Sequence, residues 1–174
     1  MLEQIALIES AVWEAGPEAV SERIALITEK YELLSEVQAT RVSLAELRAE
    51  AKALAQRSHN NPPELVDTDM SVIRSVEIIW TELGQAEEEL EKPDPSPSRL
   101  RRISAALLEA CKTVVMYCAE LGDIALKNAA KEVGSTGAKW TIRVLAASYA
   151  AQNPGIQSLA VRIFEFAGKL PNLP

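Results

Sequence analysis

The sequence predicts an all-α protein, an elongated antiparallel bundle of long amphipathic helices completed by a short C-terminal helical hairpin. Three observations carry that expectation. Apolar residues recur at alternating spacings of three and four along most of the chain, the period of a helix with one buried face. Glycine numbers only 7 and aromatics only 5% of 174 residues, whereas alanine, leucine and glutamate, which lose little side-chain freedom in a helix, recur throughout. The helix breakers gather at a few places instead of being scattered. With 48% apolar residues the chain can bury a core without disulfides or a structural metal.

The first helix is expected over about residues 2–15, with a stripe of Leu2, Ile5, Ile8 and Val12. Gly16-Pro17 is a stop-and-restart pair, in which proline occupies the first turn of the next helix, where its missing N–H costs nothing. A second helix, about 18–58, carries Val20, Ile24, Ile27, Tyr31, Leu34, Val37, Leu44, Leu47, Ala51 and Leu54. The step from Leu34 to Val37 repeats a three and should rotate the seam locally. At 1.5 Å per residue this helix would run roughly 60 Å.

His59, Asn60, Asn61, Pro62, Pro63 and Glu64 form the next break. Asparagine can end one helix in the left-handed conformation, and Asn61-Pro62-x-Glu64 resembles a capped helix start. Pro63, however, disfavours the helical region for Pro62, so a stiff elbow is the expectation. The third helix, about 68–91, has the cleanest stripe: Val72, Val76, Ile79, Leu83, Ala86 and Leu90, widened by Ile73 and Trp80. Pro93, Pro95 and Pro97 then enforce an extended connection over 92–98, with Ser98 as the expected cap of the fourth helix, about 99–133. Its stripe is Leu100, Ile103, Leu107, Cys111, Val114, Cys118, Leu121 and Ala125, ending near Gly134.

From residue 138 to 170 the chain is apolar on more than one face, and 18 residues between Arg143 and Arg162 carry no charge. That length touches the threshold for a membrane span. Gln152-Asn153-Pro154-Gly155 interrupts it with a strong turn signal, so two short helices are expected, packed on the same domain. Aromatic and basic residues flanking this segment leave a membrane surface as the alternative docking partner.

The net charge of −7 is unevenly laid out: residues 1–66 hold 11 acids and 6 bases, 67–98 hold 9 and 2, and 99–174 hold 5 and 10. An acidic front and a basic back attract each other within a chain or between copies. In particular, Glu87, Glu88, Glu89 and Glu91 face Arg99, Arg101 and Arg102 across the proline connection, and a clasp between them is expected. Cys111 and Cys118 lie two helical turns apart, about 10 Å, too far for a disulfide. They suit a reduced, cytoplasmic protein, and the N-terminus, with an acid at position 3, lacks the basic region of a secretory signal.

Candidate chemistry is sparse. The single histidine, His59, supplies no Glu-x-x-His pair, and the cysteines lack zinc-site spacing, so no metal, no cofactor and no catalytic residues are expected. The stretch VGSTGAKW fails as a phosphate loop because Ala138 precedes Lys139 and Trp140 replaces the hydroxyl residue. A sequence pI near 4.9 and the absence of aromatics interleaved with bases argue against nucleic acid as a partner. The leading reading is a non-enzymatic helical interaction or assembly protein, first of all a homodimer, acting through apolar helix faces; the alternatives are a membrane-active helical effector using residues 138–170 and, after it, a nucleic-acid-associated helical protein. Its expected partner-binding residues are Ile24, Ile27, Tyr31, Leu34, Leu44, Leu47, Arg99, Arg101, Arg102 and Trp140, with a possible partner helix as the other occupant.

Overall fold

The computed structural model describes residues 2–58, 67–128 and 154–171, and among these all regular structure is helical. Two short helices, α1 (Leu2–Ala6) and α2 (Ser10–Glu14), precede three long ones: α3 (Pro17–Ser58), α4 (Asp67–Glu91) and α5 (Pro97–Asn128). A sixth, α6, covers residues 154–169. The elbow residues His59 to Glu64, Trp140 and the first half of the expected C-terminal hairpin lie outside the described residues.

The single helix expected over 2–15 is in fact two. The chain breaks at Leu7 to Glu9, where Glu9 takes an extended backbone (φ −57°, ψ 143°); neither short helix has a buried residue, and Ile8, in the break between them, is the one buried residue of 2–15. Gly16 and Pro17 behave as their sequence predicts. Gly16 adopts φ 105°, a left-handed conformation that suits glycine because it has no Cβ, and Pro17 opens α3.

The α4–α5 turn differs by one step from expectation. Pro97 is the first residue of α5, the position where proline is pre-organised, and Ser96 rather than Ser98 precedes it as the cap. The Ser96 carbonyl accepts from Leu100 N–H at 3.0 Å, and Ser96 Oγ lies 3.5 Å from Arg99 N–H.

Helix direction follows from the pairings. Lys30 reaches Lys92, Arg41 reaches Glu87 and Arg48 reaches Glu77, so numbering rises along α3 as it falls along α4. Arg99 to Glu89 and Arg102 to Gln85 give the same antiparallel sense for α4 and α5. Arg162 to Glu36 and Lys169 to Glu29 set α6 antiparallel to α3, while the buried Ser104 hydroxyl donates to the Ala160 carbonyl at 2.6 Å and ties α6 to α5. The four long elements thus alternate in direction around one core.

That core is continuous. It takes Leu33, Val37 and Leu44 from α3, and Val76, Ile79, Leu83, Ala86 and Leu90 from α4. From α5 come Leu100, Ile103, Leu107, Cys111 and Val114, and from α6 Ile156, Leu159, Ile163 and Phe166. Along α4 and the first half of α5 these are the residues of the expected stripes. On α3 the inward line passes through Ile27, Lys30, Leu33 and Val37, with Tyr31 and Leu34 only half-buried. A helix flanked by α4 on one side and α6 on the other points inward along the bisector, which here falls between neighbouring positions of the stripe.

Candidate functional site

The N-terminal pair lies across one end of the bundle, against the first turns of α3, and leaves a cleft of about 420 Å³ beneath it. Leu7, Ile8 and Val12 form its roof. Arg23, Leu26, Ile27 and Lys30 of α3 form the floor, Pro93 to Pro95 of the α4–α5 turn one side, and Phe166, Leu170 and Pro171 the other. Each wall has a local cause: the break at Ile8 brings the roof down, and the prolines keep the turn off the helix axis.

Lys30 is the unusual residue here. It occupies a seam position of α3 and only 3% of it is exposed. Its Nζ donates to the Lys92 carbonyl at 2.9 Å, closing the C-terminal end of α4, where backbone carbonyls lack helical partners. Burial pushes the ammonium below its ordinary 10.5; Asp94 opposes that and Arg23 adds to it. Arg23 lies 3.7 Å from the well-exposed carboxylate of Asp94.

Beside the cleft, Glu89 is 1% exposed and organises the turn. It accepts from Lys92 Nζ at 2.7 Å and from Ser96 N–H at 2.8 Å, and Arg99 Nε stands 3.3 Å away. Burial pushes its carboxyl up, but the Lys92 hydrogen bond, the Ser96 amide and the charges of Lys92 and Arg99 outweigh that and hold it below the ordinary 4.5. The expected acidic-to-basic clasp therefore forms at Glu89 and Arg99. Arg102 donates instead to Gln85 at 3.0 Å, and Arg101 is exposed.

The other residues singled out from sequence are dispersed. Ile27 reaches the cleft, Leu44 is fully buried, and Ile24, Tyr31, Leu34 and Leu47 are half-buried along α3. The apolar seams of α3 and α4 are occupied by each other within the chain. Cys111 is buried, and burial alone pushes its thiol up to about 12, the behaviour of a small core hydrophobe and not of a nucleophile. Among the described residues no group of three acids, cysteines or histidines is placed to hold a metal ion, and no helix is long and apolar enough to cross a membrane.

Sequence reasoning missed Lys30, Arg23 and the roof. One signal was available: Lys30 stands three residues after Ile27 and three before Leu33, a charged residue on the apolar line. The arrangement defines a helical bundle with an apolar, lysine-floored cleft at one end. No protein-family model, no curated protein and no solved structure matches the chain.

Proposed function

We propose that this is a non-enzymatic helical interaction protein that assembles through apolar helix faces, first with a second copy of itself. The observation that supports it most is the outer face of α6. Ile163 and Phe166 fill the core, yet Val161 and Phe164, three residues apart on the opposite side, are 44% and 52% exposed. A helix apolar on both sides calls for burial on both. Val115 and Met116 on α5 extend the supply of exposed apolar side chains. The α3 and α4 seams are already spent within the chain, so the outer faces are left for a partner.

Sedimentation velocity across the micromolar range tests this. The expected result is a dimer that the double variant Val161→Glu, Phe164→Glu weakens by about tenfold or more, roughly 1.4 kcal/mol, with unchanged helical circular dichroism. A chain that stays monomeric throughout that range overturns the reading.

A further inference from the structure

The cleft beneath the N-terminal helices has features that neither packing nor self-association requires. A buried lysine could close the end of α4 without any open space around it, yet this one borders a cavity. Its 420 Å³ lies within the roughly 300–1,000 Å³ range of small-molecule sites. We infer that it binds an aliphatic carboxylate, with the chain among Leu7, Val12, Leu26, Ile27 and Phe166 and the head group on Lys30 and Arg23.

The argument rests on unspent hydrogen-bonding capacity and charge. An ammonium has three donors, and Lys30 directs one to the Lys92 carbonyl. The ammonium also faces the Tyr31 ring, 5.3 Å from its centroid, and because Lys30 lines the cleft its remaining donor capacity is open to an acceptor there. Arg23 is a second cation on the same floor, half-exposed and held only by a loose contact to Asp94. Solvent-exposed pairs of that kind contribute little, so Arg23 can turn to a ligand. The acid acting on Lys30 is Asp94 from the turn, and Glu9, just before α2, lines the same cleft; both are exposed. They balance Arg23 and Lys30 in number, but a buried cation feels a desolvated partner more strongly than exposed ones. One buried ammonium matches a single negative charge, and the apolar walls match an alkyl chain; a multiply charged, strongly hydrated phosphate suits neither. The roof is only lightly attached, with Ile8 its one buried side chain, which gives a ligand a way in.

The test uses the full chain and three probes of equal chain length: sodium decanoate and decyltrimethylammonium, each below its micelle concentration, and decanol below its solubility limit. Calorimetry should show one decanoate bound per chain, at least about tenfold tighter than either other probe. Carbon NMR of labelled lysine should show the Lys30 titration moving upward on binding, because a nearby anion favours the charged form. Arg23→Gln, at a half-exposed position, should weaken decanoate several-fold, Lys30→Met should reduce the preference for decanoate over decanol to the several-fold that Arg23 supplies, and the double variant should bind the two equally. Equal affinities for the three probes, or a Lys30 titration unmoved by saturating decanoate, would overturn the inference; the latter would place binding on an outer apolar face. The Val161→Glu, Phe164→Glu variant should bind decanoate normally, which separates failure here from failure of the assembly reading.

Discussion

At the scale of single residues, Glu89 and Lys30 are the two buried charges at the cleft end, and each is tied to a turn that the prolines create. For Glu89 the sign of its pH dependence follows from its lowered folded-state pKa. The unfolded chain binds the proton more tightly, so the carboxylate's stabilisation is complete above about the ordinary 4.5 and is lost as pH falls through the lower folded value. Glu89→Gln should therefore destabilise by about 1.5–3 kcal/mol at neutral pH, the range for hydrogen bonds to charged groups. Urea denaturation checks this, and the gap should shrink as pH falls below 4.5 and through the lowered folded value, where the native carboxyl is itself protonating. A gap that does not change with pH would show that the carboxylate's charge is not what the turn uses. Lys30 has the opposite chemistry: its folded value is also lowered, so protonation opposes folding, and its contribution improves as pH rises toward 10.5.

At the scale of elements, α3 and α4 are registered by polar contacts along the rim of their apolar seam. The Trp80 ring lies between two guanidiniums, with Arg41 Cζ at 4.9 Å and Arg48 Cζ at 4.6 Å from its centroid. Those arginines also pair with Glu87 and Glu77. Each cation–π contact at a partly exposed site is worth about 0.5–1 kcal/mol, so the cluster fixes which turns of the two helices meet more than it stabilises them. Gly84 sits in the middle of α4 under Arg41, and a Cβ built there would meet the guanidinium carbon at 3.7 Å, an ordinary contact. Gly84→Ala should therefore raise stability by about 0.8–1 kcal/mol through helix propensity alone. Thermal denaturation reads the sign, and a loss would mean that the Arg41 side chain cannot accommodate the methyl group.

At the scale of the whole molecule, part of the uneven charge of the sequence is paired inside the chain. Arg162 pairs with Glu36 and Lys169 with Glu29, so the basic C-terminal region neutralises the acidic face of α3. Those pairs are half-exposed and modest in energy. The apolar face of α6 matters more, because it supplies one wall of the core. Removing residues 154–174 should take away that wall and the Ser104–Ala160 tie to α5, and the shortened chain should lose cooperative thermal unfolding and bind a hydrophobic dye. Cooperative unfolding at an undiminished temperature would show that α6 is an appendage and not a wall.

Sequence alone determined the all-helical class, the core faces of α4 and the first half of α5, the Gly16-Pro17 restart and, of the clasp across the prolines, the Glu89–Arg99 pair. These depend on local physics: helical period, backbone restriction at proline and glycine, and charges a few residues apart. It anticipated no cleft, and of the partner-binding residues it singled out only Ile27 lines one. The break at Ile8, the inward turn of Lys30 in place of Tyr31, and the meeting of α1, α2, the proline turn and α6 were decided by the tertiary structure. Which side of α3 faces inward depends on where α4 and α6 stand, and no periodicity within α3 records the position of its neighbours. The cleft exists because elements far apart in sequence end at the same pole of the bundle, and the buried cation on its floor acquires its character from that enclosure.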